Sequence, residues 1–146
     1  MPWSIRIPPP VAERRHPRGL IDTSVVIDLE QIAADALPLE LAVSAVTMAE
    51  LAAGPHATAD PAERARRQDR LQRAEATFEP LPMDAEVARA YGRVYAAVAA
   101  SGRKARGRRA VDLFIAATAV AASLPLYTRN PDDFVGLSDL LDIVAV

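Results

Sequence analysis

The stretch that decides the fold is Gly19-Leu20-Ile21-Asp22-Thr23-Ser24-Val25-Val26-Ile27-Asp28-Leu29. A short apolar run, Leu20-Ile21, stops at a polar turn, Asp22-Thr23-Ser24, and apolar residues resume at Val25, Val26, Ile27 and Leu29. That order reads as strand, turn and helix. The unit recurs: Leu41-Ala42-Val43-Ser44-Ala45-Val46 reads as a strand ending at Thr47, and Met48-Ala49-Glu50-Leu51-Ala52-Ala53 as a helix stopped by Gly54-Pro55. Strands that alternate with helices imply a parallel sheet, because parallel neighbours need a crossover and the crossover helix covers a sheet face.

The rest of the chain extends this pattern. Asp60-Pro61-Ala62-Glu63 supplies an N-cap, a proline at N1 and an acid at N3 for an Arg-rich surface helix running to about Thr77. Phe78 to Met83 is a short extended piece, after which Asp84 caps a helix with Val87, Ala88, Tyr91, Val94, Tyr95 and Val98 at helical spacing; Ser101-Gly102 ends it. The segment Arg103 to Arg109 reads as a loop holding five of the 17 basic residues. Val111 to Ala122 is apolar on nearly every side, which predicts a buried helix beginning near Asp112. Leu126-Tyr127-Thr128 is a short strand, Arg129 to Phe134 a polar loop, and Ile143 to Val146 a closing strand. The expected architecture is α/β, a doubly wound parallel sheet flanked by helices in a single domain, residues 19–146.

Met1 to Arg18 differ in kind. Pro2, Pro8, Pro9, Pro10 and Pro17, interspersed with Arg6, Arg14, Arg15, His16 and Arg18, exclude a helix or a central strand and give an extended basic arm, residues 1–18.

Composition narrows the function classes. With 146 residues, 51% of them apolar, the chain can bury one sizeable core. The formal charge of −2 is the difference between 17 basic and 19 acidic residues, so net charge names no partner and only local clustering can. The absence of cysteine excludes disulfides, a thiol nucleophile and thiolate zinc sites, and fits a reducing compartment, with the cytoplasm as the default. No run of about 18 apolar residues occurs and the N-terminus lacks signal-peptide order, so a soluble protein with no membrane partner is expected.

In open parallel sheets the active crevice lies at the carboxyl ends of the strands, and here those positions are acidic. Asp22 follows the first strand, Glu50 lies just after the second, Asp112 opens the buried helix, and Asn130, Asp132 and Asp133 follow the strand ending at Thr128. Carboxylates brought together repel unless a cation neutralises them. All-oxygen ligation suits Mg²⁺ or Mn²⁺, which keep several waters and bind through few carboxylates plus substrate phosphate. Such a site points to phosphodiester hydrolysis, without choosing RNA over DNA. The basic segment abuts Asp112, and Arg106, Arg108 and Arg109 are candidates to hold the polyanion that the acids would otherwise repel.

Each acid also has a purely structural reading. Asp22 and Asp112 stand where N-caps are favoured, although a charge beside so apolar a helix as that after Asp112 needs a partner. Thr47-Met48-Ala49-Glu50 matches a capping box, in which Glu50 would bond back to Thr47. Asp132 and Asp133, beside Pro131, are ordinary turn formers. His16 and His56 flank prolines without metal-site spacing and receive no role. Only the joint placement of the acids argues for chemistry.

Four motifs carry a family resemblance: Leu20-Ile-Asp22-Thr-Ser24, Val46-Thr-Met-Ala-Glu50-Leu51, Val111-Asp112-Leu-Phe-Ile-Ala-Ala-Thr-Ala119, and Thr128-Arg-Asn-Pro-Asp-Asp133-Phe134. From about Gly19 to Val146 the sequence resembles PIN-domain ribonucleases of the VapC type, the toxin half of bacterial toxin–antitoxin pairs. The resemblance implies Mg²⁺- or Mn²⁺-dependent cleavage of RNA, a homodimer, and inhibition by a cognate antitoxin protein occupying the active groove. It carries the catalytic and metal-holding roles to Asp22, Glu50 and Asp112. The fourth position falls on Asp133 or on Asn130, which could ligate through its carbonyl or face the substrate, and the number of metals stays open. Two rivals are weighed. A receiver-like phosphotransfer domain fits poorly, because Lys104 follows a helix and not a late strand, and no second acid stands two residues after Asp22. A catalytically silent RNA-binding or interaction module of the same fold would need the acids to be idle.

Overall fold

The computed structural model describes residues 16–103 and 108–146, with Arg108 described for its backbone alone. Residues 1–15 of the expected basic arm, Lys104, Arg106 and the Arg108 side chain lie outside the described residues. The strands are β1 (Arg18–Ile21), β2 (Glu40–Ala42), β3 (Leu126–Thr128) and β4 (Ile143–Ala145); the helices are α1 (Thr23–Ile27), α2 (Ala45–Ala53), α3 (Pro61–Thr77), α4 (Ala85–Ala100) and α5 (Arg108–Ala122). Among the described residues the four strands form one all-parallel sheet in the order β2-β1-β3-β4. The chain steps from β1 to β2 on one side and later returns to β3 on the other. The strand order therefore reverses between β1 and β3, where open α/β sheets place their ligand crevice.

Side-chain alternation along the two central strands divides the core. Leu20 and Leu126 face a layer with Val87, Val94 and Val98 of α4 and Leu113 and Ile115 of α5. Their neighbours Ile21 and Tyr127 face the opposite layer, with Val25 of α1, Leu51 of α2 and Ala74 of α3. This period of two, with both faces covered, explains why the strands read as continuous apolar runs. Full burial of each aliphatic side chain contributes about 1.5–3 kcal/mol. Gly19 is fixed by packing: a Cβ there would stand 2.6 Å from Cε1 of Tyr127 on β3.

The caps read in the sequence at Asp60 and Asp84 form, with their carboxylates accepting from the Glu63 and Val87 amides at 3.1 and 3.0 Å. Three local expectations need correction. The second strand ends at Ala42, well before Val46, because Ser44 caps α2 and accepts from the Thr47 amide at 3.0 Å. The Thr47–Glu50 capping box therefore does not form; both residues lie inside the helix. The buried helix α5 is already formed at Arg108, which makes Arg108 and Arg109 helical and places Asp112 one turn inside instead of at the N-cap. The extended piece around Leu81 also pairs with the sheet's β2 side: Leu81 N–H donates to Val43 O at 2.9 Å and its carbonyl accepts from Ala45 N–H at 2.8 Å. No helix of the described residues is long and apolar enough to cross a membrane.

Candidate active site

At the carboxyl ends of β1 and β3 a cavity of about 290 Å³ opens, lined among others by Asp22, Asp28, Glu50, Asp112, Asp133, Arg129 and Asn130. A neighbouring hollow of about 360 Å³ shares Asp112, Asn130 and Asp133 and adds Arg109. The structure thus brings Asp22, Glu50, Asp112 and Asp133 to one cavity from four separate segments. Arg109 stands at its edge, its guanidinium donating to the Asp133 carbonyl at 3.4 Å. Asp132 is not among the lining residues; its backbone carbonyl accepts from the Arg103 guanidinium at 2.7 Å.

Asp22 is 5% exposed and does two things with one carboxylate. As N-cap of α1 its Oδ1 accepts from the Val25 amide at 3.1 Å, and it also accepts from the Ser24 hydroxyl at 2.5 Å. Ser24 in turn accepts from the Arg129 amide at 3.1 Å, which ties the end of β3 to the start of α1. The structural and functional readings of Asp22 are therefore compatible, since a capping carboxylate keeps lone pairs for a cation.

Glu50 is held by a chain of hydroxyls that sequence reasoning missed. The Thr23 hydroxyl donates to Glu50 Oε1 at 2.5 Å, stands 3.1 Å from the Thr47 hydroxyl, and Thr47 stands 3.3 Å from Ser44 Oγ. A hydroxyl has one hydrogen and a carboxylate only accepts. The consistent direction is Ser44 to Thr47 to Thr23 to Glu50. Thr47 and Ser44 are fully buried, so the chain runs through the core and aims Glu50 from behind. The available signal was the Thr23 hydroxyl next to Asp22 and the i, i+3 spacing of Ser44, Thr47 and Glu50.

Among the described lining residues five carboxylates face one guanidinium, that of Arg129. Such an excess of like charge favours a bound cation. The donors are carboxylate and amide oxygens, the set that suits a hard divalent ion. Among the described residues no three His, Cys, Asp or Glu side chains are grouped to hold one ion unaided. A divalent ion at this cavity would have to take the rest of its shell from water and substrate phosphate.

Sequence and structure comparisons place the chain in a family. The PIN domain family profile matches residues 19–138. The chain is 39% identical over 122 residues to ribonuclease VapC5 of Mycobacterium tuberculosis, covering 82% of this chain and 87% of that protein. Its fold matches the crystal structure of VapBC-5, a member of the VapBC family of toxin-antitoxin systems from the same organism. That match has a TM-score of 0.75 and 37% identity over 89% of this chain and 99% of the other. A similar match is found to FitAcB from Neisseria gonorrhoeae, with a TM-score of 0.65 and 27% identity over 85% of this chain and 94% of the other. The chain belongs to the PIN-domain family and, within it, is a homologue of the VapC ribonucleases.

Proposed function

We propose that the protein is the toxin of a toxin–antitoxin pair and an endoribonuclease that hydrolyses RNA phosphodiester bonds with Mg²⁺ or Mn²⁺. One observation carries the reading: Asp22, Glu50, Asp112 and Asp133, distant in sequence, line a single cavity at the strand-order reversal. The VapC5 relative, itself a ribonuclease by name, supports RNA as the substrate. In this reading Asp22, Glu50, Asp112 and Asp133 hold the cation. When bound, a divalent ion stabilises charge developing on the phosphodiester and acidifies water.

The chain's own residues do the rest. Asp22 keeps its orientation through the Val25 amide and the Ser24 hydroxyl, and Glu50 through Thr23, so both carboxylates are positioned before substrate arrives. Arg109 and Asn130 line the substrate side of the groove, where a guanidinium offsets the repulsion between acids and phosphates; Arg106 and Arg108 of the basic segment are assigned to the same RNA backbone by their charge alone. The VapBC-5 relative, a member of a family of toxin-antitoxin systems, supports a cognate antitoxin as partner; a homodimer as the working form and the cytoplasm as the compartment complete this reading. In this account the ribonuclease domain covers residues 19–146 and the basic arm residues 1–18, with the last of these already joined to the domain: Arg18 opens β1, and the His16 and Pro17 carbonyls accept from the Leu39 and Glu40 amides.

The test is Mn²⁺ binding followed by water-proton relaxation on the full-length chain. Wild type should bind Mn²⁺ and yield it to Mg²⁺, whereas Asp112→Asn should bind at least about tenfold more weakly, the usual cost of disturbing a metal site. Equal affinity in both proteins would remove the metal from this cavity.

A further inference from the structure

The structure places Arg129 where no reading of the acids required it. It follows β3 directly, and its amide is fixed to Ser24, the residue whose hydroxyl holds Asp22. Its guanidinium lines the acid cavity, where it is the sole cation among the described lining residues, and its Nε stands 3.4 Å from Oδ2 of Asp28. Asp28 closes α1 and lines the same cavity.

The Arg129–Asp28 pair is a poor stability device. Its side chains are 34% and 36% exposed, and a pair so open to solvent is largely screened. Arg18, Arg66, Arg67, Arg73 and Arg89 make comparable pairs with acids on strand or helix surfaces, and none of them lines the acid cavity. Contact through Nε leaves the two Nη groups of a planar fork, a geometry that matches phosphate bidentately. A cation in this position meets the first phosphate to approach the acids.

We propose that Arg129 is a substrate-positioning residue that grips a phosphate of the RNA next to the scissile bond, and that Asp28 is the carboxylate on which it rests until RNA displaces it. This deepens the ribonuclease reading and rests on it. Binding RNA then exchanges a weak solvent-exposed pair for a charge-assisted fork to phosphate, and Asp28 lowers affinity by competing for the guanidinium.

The experiment measures binding of the full-length protein to a fluorescein-labelled single-stranded RNA in EDTA across a KCl series, alongside cleavage kinetics in Mg²⁺. Arg129→Gln should weaken binding about tenfold, as for a lost charge-assisted contact. It should also flatten the logarithmic salt slope by roughly 0.7, the value for one phosphate contact on a single strand. The loss in cleavage should fall on KM more than on kcat. Asp28→Asn should tighten binding, and this gain should vanish in the Arg129→Gln background, because it acts through the freed guanidinium. A tightening that persists without Arg129 would reduce Asp28 to one more negative charge and overturn the proposal. So would an Arg129→Gln protein with wild-type affinity and slope. Arg129→Lys, which keeps charge and loses the fork, should hold the salt slope while binding more weakly; it decides the matter should Arg129→Gln fail to fold. A wild type that neither binds nor cleaves RNA would bring down the ribonuclease reading itself, whereas a cleaving wild type with an indifferent Arg129 overturns this inference alone.

Discussion

The Thr23 hydroxyl lies 2.5 Å from Glu50 Oε1, and the buried Thr47 hydroxyl lies 3.1 Å behind it. Thr23 starts α1 and Glu50 sits midway along α2, so the contact joins the two strand-to-helix units that the sequence repeats. It also means that Glu50 is oriented by a residue adjacent to Asp22.

Glu50→Gln separates geometry from charge. The Gln carbonyl still accepts from Thr23, so thermal stability should stay at or above wild type, because one negative charge has left a crowded cavity. Cleavage should fall by about 10²-fold or more, since even outer-shell partners of a metal site cost 10–100-fold. Thermal melts and initial rates on the same preparation check this; a Gln protein of full activity would show that Glu50 has no part in the chemistry.

Ser44 and Thr47 divide capping from aiming. Ser44→Ala removes the N-cap of α2 and should cost about 0.5–2 kcal/mol in urea titration. Thr47→Val breaks the hydroxyl chain inside the core and should cost about 1–3 kcal/mol for the polar partners it strands. We expect the Val variant, and not the Ala variant, to lose activity per folded molecule, because only Thr47 contacts the hydroxyl that aims Glu50.

Asp22→Asn should fold normally, because Asn caps a helix as well as Asp does. Its melting temperature should stay near that of the wild type while RNA cleavage is abolished. A large drop in stability would mean that the carboxylate's charge serves chiefly to hold α1.

Glu63 predicts a pH effect remote from the site. Hydrogen bonds from Arg66 and then Arg67 hold its carboxyl below the usual carboxylate range. A folded-state pKa below the unfolded value stabilises the fold at pH above the unfolded pKa, and the contribution fades as pH falls through the folded one. Wild type and Glu63→Gln should therefore differ slightly in melting temperature at neutral pH and converge in acid or high salt, as expected for an exposed pair.

The fold was legible because its signals are local or periodic. The caps at Asp60 and Asp84 and the apolar run of α5 each declare an element from within. Boundaries set by distant partners were not legible. Ser44 ends β2 early because its hydroxyl meets the Thr47 amide, and Leu81 pairs with Val43 and Ala45 across almost forty residues of chain. Asp22, Glu50 and Asp133 could be listed from their places after strands, since parallel topology gathers those ends, and Asp112 from its charge beside so apolar a helix. The side chains that hold them could not: Thr23, Thr47 and Arg129 are ordinary turn, helix and loop residues until the sheet brings β1 and β3 together. Asp28 was passed over for the same reason, its partner lying about a hundred residues away in sequence.

The most direct measurement is cleavage of a 5′-labelled RNA by the full-length protein in Mg²⁺, in Mn²⁺ and in EDTA, with Asp112→Asn run beside the wild type. The account predicts endonucleolytic products for the wild type with either metal, none in EDTA, and none for Asp112→Asn under any condition. Cleavage by the wild type in EDTA, or by Asp112→Asn at the wild-type rate, would contradict it.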